Sequence, residues 1–148
     1  MSTGGSYGLP FHQDYPSTAS SKKAIICWVN LVDSNPSTHG LEILPGMHTK
    51  GLLPGSQTAN YYQLDPDVLR NSRPVIRIIP AGSILFMGIY LPHRTYVNPN
   101  FDGWKLSLSQ RFDDLEDPEW QNKGYKNAFN TRVDRSAYLD FEKQNWLI

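Results

Sequence analysis

The apolar residues of this chain come in short runs separated by turn formers, which is the rhythm of strands rather than helices. Ala24 to Val32 (AIICWVNLV) is the clearest run. It is β-branched, aromatic and nearly all apolar, which predicts a strand with both faces buried. Ile26, Trp28 and Asn30 share one face, and a buried Asn30 needs partners, a hint that this face lines a polar cavity. Leu41 to Leu44 predicts a short strand ending at Pro45-Gly46. Pro74 to Ile79 alternates about Arg77, and Ser83 to Tyr90 (SILFMGIY) predicts another buried strand, ending at Leu91-Pro92-His93. Trp104 to Phe112 (WKLSLSQRF) alternates strictly. Lys105, Ser107, Ser109 and Arg111 fall on one face, Leu106, Leu108 and Phe112 on the other. Such a polar face is ordinarily solvated, but inside a barrel it would line an aqueous pocket.

The stretches between are less regular. Asp33 to Gly40 is dense in turn formers. Residues 49–73 read as loops, a segment suited to covering a substrate, with Tyr61 and Tyr62 in a lid. The acidic stretch from Asp113 to Glu119 reads as a linker or cap. Asp134 is placed to N-cap a C-terminal helix carrying Tyr138, Phe141 and Trp146 on an apolar stripe, packing for the outer surface of the sheet.

Composition narrows the class. A chain of 148 residues predicts a single domain over 1–148. With 39% hydrophobic and 19% charged residues it can bury a core. Eleven Gly and eleven Pro suit the many turns of an all-β protein. A formal net charge of zero argues against a nucleic-acid surface. Cys27 is the only cysteine, so neither an intrachain disulfide nor a Cys-rich zinc site can form; a buried, inert thiol is expected. No apolar run approaches the ~20 residues that span a bilayer, so no membrane partner is expected. Met1 to Tyr7 is Gly/Ser-rich and uncharged; no signal peptide is expected, and the location is read as cytoplasmic.

The chemistry concentrates at His12-Gln13-Asp14. On an extended backbone, side chains two apart point the same way, so His12 and Asp14 can reach one ion from one side. One further histidine would complete the 2-His-1-carboxylate triad of non-haem Fe(II) oxygenases, which leaves positions open on the metal. His39 reads as a turn residue, and His48, after the Pro45-Gly46 turn, as a structural or supporting one.

The ordered set is His12-x-Asp14, a strand with Trp28, Leu44-Pro45-Gly46-Met47-His48, Ala81-Gly82-Ser83, then His93-Arg94-Thr95 with Asn98 beyond. Over roughly residues 9–112 it resembles the phytanoyl-CoA dioxygenase-like family of Fe(II)/2-oxoglutarate-dependent oxygenases. The resemblance implies an all-β core, a double-stranded β-helix of the jelly-roll or cupin-like kind, with 113–148 as C-terminal linker and helical tail. It implies His12, Asp14 and His93 as iron ligands and catalytic residues, Fe(II) as metal and 2-oxoglutarate as co-substrate. With a carboxylate ligand at Asp14, hydroxylation is favoured over halogenation.

The family places an arginine near the start of the last core strand to grip the distal carboxylate of 2-oxoglutarate. Here Lys105 stands at or next to that place, and a lysine holds a carboxylate as a point charge. Arg111 is the second choice. Thr95 stands where the family has a small hydroxyl residue, Trp28 lies on the strand whose tryptophan faces the co-substrate, and Gln13 is a weaker candidate. Arg94 is open to a surface or substrate-facing role.

Only eleven residues precede His12, fewer than the family carries, so the core is expected to be short at its N-terminal side. An unpaired edge would invite a second copy of the chain, giving a homo-oligomer. The expected function is a dioxygenase that uses O₂ to hydroxylate a small organic substrate. The rival is an incomplete or non-catalytic double-stranded β-helix domain that only binds metal.

Overall fold

The structure, a computed structural model, describes residues 8–18, 20–58 and 61–124. The predicted helix with Tyr138, Phe141 and Trp146 lies outside the described residues. β1 (His12–Gln13) and a single helical turn, α1 (Tyr15–Thr18), come first. β2 (Ile25–Asn30) and β3 (Gly40–Ile43) follow, then a 3₁₀ turn (Met47–Lys50), β4 (Gly55–Gln57), β5 (Tyr62–Leu64) and α2 (Pro66–Arg70). β6 (Val75–Ile76), β7 (Ile84–Gly88), β8 (His93–Tyr96), β9 (Ser107–Phe112) and α3 (Pro118–Asn122) complete the described elements. No helix among the described residues is long and apolar enough to cross a membrane.

The strands form two antiparallel sheets, one in the order β4-β5-β1-β8-β3-β6 and one in the order β7-β2-β9. Side chains from both meet in one core. Ile26 and Met87 come from the three-stranded sheet and Leu41 from the six-stranded one, with Tyr15, Ala24, Ile79 and Ile89 around them. Burying an aliphatic side chain of this size stabilises by roughly 1.5–3 kcal/mol. A second cluster, Phe11, Leu44, Leu53, Tyr62 and Leu64, lies beneath the 3₁₀ turn and β4–β5.

Residues 49–73 differ from the expected loop. β4 and β5 form a hairpin, and β5 continues the sheet onto β1, pairing Gln63 with His12. Tyr62 is core, its hydroxyl donating to the Leu53 carbonyl at 3.0 Å, so it is no lid residue. Strands of three residues are too short to leave a periodic signature.

The second difference concerns burial. The 24–32 and 83–90 strands were expected to be buried on both faces, but only one face of each is. Ile25, Ile84 and Phe86 point outward and are exposed, Phe86 at 66%. On β9 the apolar side is the outward one, with Leu108 and Phe112 each 58% exposed, while Ser107 and Arg111 on the polar side are half-buried. Cys27, on the same outward side of β2, is half-buried rather than buried.

Asp117 anchors the end of the described chain. Its carboxylate caps α3 through the Glu119 and Trp120 amides. It also accepts from the Ser21 hydroxyl at 2.7 Å and the Lys22 amide at 3.1 Å, tying α3 to the foot of β2.

Candidate metal centre

β1 and β8 are neighbours, and His12 pairs directly with His93 across them. That register carries the centre, because it brings the two imidazoles together with ring centroids 4.3 Å apart and planes tilted by 54°. Asp14, two residues beyond His12, turns its carboxylate to the same side. One ligand atom from each of His12, Asp14 and His93 lies within 4.8 Å of the other two, and all three residues are buried. The imidazole Nε2 of His12 is 3.4 Å from Asp14 Oδ1.

Each of the three is held from its outer side. His12 Nδ1 lies 2.7 Å from the Pro10 carbonyl, and His93 Nδ1 lies 2.9 Å from the Leu91 carbonyl. A carbonyl only accepts, so each Nδ1 carries the proton, and each Nε2 presents its lone pair inward. Arg111, from β9 in the other sheet, donates through Nε to Asp14 Oδ2 at 2.9 Å and through Nη2 to the same oxygen.

The electrostatics agree with a cation site. Burial pushes the His93 imidazole down to about 4, with His12 beside it lowering it further and Asp14 and the Leu91 carbonyl opposing, so it is neutral at ordinary pH. Burial alone would raise the Asp14 carboxyl. Its contacts with His12 and His93 and the Arg111 guanidinium outweigh it and hold the group well below the usual carboxylate range. A neutral imidazole at His93 and an ionised carboxylate at Asp14 are deprotonated donors of the kind a divalent metal needs. The N, N, O donor set suits Fe(II).

Of the other expected site residues, Thr95, Lys105 and Trp28 cluster with one another. Thr95 and Lys105 line one cavity of about 580 Å³, with His39, Asn98 and Phe101 on its wall. Lys105 Nζ lies 4.6 Å from the centre of the Trp28 ring, and burial lowers it to about 8. Trp28 donates through Nε1 to Asn30 Oδ1 at 2.7 Å, and Asn30 donates to the Ile79 carbonyl. The partners that a buried Asn30 demanded are therefore an indole and a backbone carbonyl. Gly8 lies against Thr95 with φ +77°; a Cβ there would stand 2.3 Å from Thr95 Cβ, so this approach needs glycine.

Two expected co-substrate contacts are committed elsewhere. Gln13, alternating to the opposite side from His12, donates to the Gly51 and Tyr90 carbonyls and accepts from the Leu53 amide. Its amide stitches residues 51–53 onto β1. Arg111 is engaged with Asp14 rather than with the Thr95–Lys105 cavity. Arg94 pairs with Glu42 and lies 4.8 Å above the Phe11 ring. His39 accepts from the Asn98 amide at 3.1 Å, a turn-holding role, while His48 is exposed. Tyr61, expected in a lid, sits edge-on to His12 at 6.0 Å.

Fold and site together define a double-stranded β-helix protein with a His-Asp-His centre at the junction of β1 and β8. The chain belongs to the phytanoyl-CoA dioxygenase (PhyH) family, which matches residues 1–102. No curated protein matches it significantly. Among solved structures it is similar to the non-heme alpha ketoglutarate dependent epimerase SnoN from nogalamycin biosynthesis. That match has 22% identity and a TM-score of 0.54, and covers 72% of this chain and 39% of that chain. EctD from S. alaskensis, solved with 2-oxoglutarate and 5-hydroxyectoine, matches at 15% identity and TM-score 0.55, over 74% of this chain and 39% of that chain. EvdO2 from Micromonospora carbonacea var. aurantiaca, complexed with 2-oxoglutarate, matches at 17% and 0.51, over 74% of this chain and 49% of that chain. The chain thus spans less than half the length of each of these structures, and the likeness is one of fold.

Proposed function

We propose that this chain carries the centre of an Fe(II)- and 2-oxoglutarate-dependent oxygenase that hydroxylates a small organic substrate. The observation that carries the reading is the convergence of His12, Asp14 and His93 from two adjacent strands, each fixed on its outer side. The presence of 2-oxoglutarate in the EctD and EvdO2 structures supports the choice of co-substrate. Bound iron, with 2-oxoglutarate and O₂, supplies the oxidising power for the C–H bond; the protein supplies binding, orientation and electrostatics.

His12 and His93 would hold the metal through Nε2, and Asp14 through its carboxylate. Three protein ligands leave positions for co-substrate and O₂. Lys105 serves the distal carboxylate of 2-oxoglutarate as a point charge, with the Thr95 hydroxyl on the same cavity wall. Trp28 flanks the ammonium, restricting where that charge can sit.

Anaerobic addition of Fe(II) and 2-oxoglutarate is expected to give the weak visible charge-transfer band of a ternary complex. Retention of the band in His93→Ala would count against the assignment. A rival reading, a domain that binds metal without turnover, draws on Lys105 standing in place of an arginine fork. Time-dependent succinate formation separates the two, since the rival gives none.

A further inference from the structure

We infer that Arg111 is a positioning residue that keeps Asp14 a one-oxygen ligand. The inference rests on the proposal that His12, Asp14 and His93 hold a metal. A carboxylate oxygen has two lone-pair directions, and Arg111 directs two donors, Nε and Nη2, at the single oxygen Oδ2. That engages Oδ2. Oδ1 is left on the side of His12 Nε2, 3.4 Å away, within the converging cluster.

The fold makes this contact deliberate rather than local. Arg111 pairs in register with Ile26 on β2, whereas Asp14 follows β1 in the other sheet. The pair bridges the two sheets between side chains that are 25% and 7% exposed. A guanidinium held there has little water to compete for the carboxylate, so the fork keeps its geometry. The consequence is for coordination number. A carboxylate free to turn can close on a cation with both oxygens and occupy a position that a bidentate co-substrate needs. Arg111 prevents that closure.

A merely structural ion pair and a positioning one differ in what they move. Loss of a structural pair lowers the melting temperature and leaves the metal environment alone. Loss of a positioning pair changes the metal environment of the folded protein. Co(II), whose visible d–d bands report coordination number, is the probe, with 2-oxoglutarate titrated afterwards.

In Arg111→Gln, with folding checked by near-UV circular dichroism, the bands are expected to weaken as the coordination number rises. The 2-oxoglutarate Kd is expected to rise tenfold or more. Arg111→Lys keeps the charge but offers one ammonium in place of the fork, so it is expected to fall between native and Gln; it decides the matter if Arg111→Gln does not fold. Native-like bands and a Kd within twofold of native in the folded variant would overturn the inference. If the native chain takes Co(II) but no 2-oxoglutarate, the bands alone decide. Failure of the native chain to bind Co(II) would overturn the metal reading and this inference with it. Native binding with unchanged variants overturns the inference only.

Discussion

His93 is buried, neutral and packed against His12, so its protonation is linked to folding. Its imidazole is pushed down to about 4 from an ordinary 6.5. Between these values the unfolded chain holds a proton there that the folded chain does not, so stability falls as pH drops through this window. At 1.36 kcal/mol per unit, the loss is on the order of 3 kcal/mol. Thermal melts of the metal-free protein from pH 7 to pH 4.5 are expected to show this decline, and His93→Gln is expected to flatten it. Asp14 acts in the opposite range: its lowered carboxyl adds stability that is lost only at more acidic pH. Lys105 carries a second residue-scale expectation. Its ammonium, lowered to about 8 by burial, is charged below that pH and neutral above it. The affinity for 2-oxoglutarate, measured by calorimetry, is therefore expected to fall between pH 7 and pH 9. Lys105→Arg, always charged, is expected to abolish the fall.

Among the elements, β7 and β9 show how one strand serves two environments. Met87 is buried in the core and Phe86, its neighbour, is 66% exposed. Met87→Ala is expected to cost about 2–5 kcal/mol in denaturant unfolding and Phe86→Ala under about 1 kcal/mol. A reversal would mean that the two faces of β7 are wrongly assigned. The same strands mark the limit of reading faces from periodicity. In β9 the alternation was legible, and Ser107 and Arg111 do share a face, but alternation does not say which face is inward. Hydrophobic burial argues for the leucines; the site has the polar side. In β2 and β7 an apolar residue on either face implied double burial, and the outward faces are exposed instead. The β4–β5 hairpin was missed because three-residue strands carry no period, although it builds the sheet beside His12.

For the whole molecule, the site was legible where chemistry is local and opaque where it is not. His12-x-Asp14 is visible because two residues apart on a strand is one side of that strand. His93 became visible through the family resemblance, and the β1–β8 pairing is what physically brings it there. The Arg111–Asp14 bridge joins residues in different sheets, and nothing in either stretch names the other. The chain spans less than half of the SnoN, EctD and EvdO2 chains, and the outer face of the three-stranded sheet presents Ile25, Ile84, Phe86, Leu108 and Phe112 together. A contiguous apolar face of this kind is more than scattered surface residues.

We propose that His12 and Asp14, near one another, and His93, far along the chain, hold one divalent ion. Calorimetric titration of Mn(II), a redox-stable stand-in for Fe(II), into the native chain and into His12→Ala, Asp14→Ala and His93→Ala tests it most directly. One ion per native chain is expected, with affinity down at least a hundredfold in each folded variant. Native-strength binding in folded His93→Ala would contradict it.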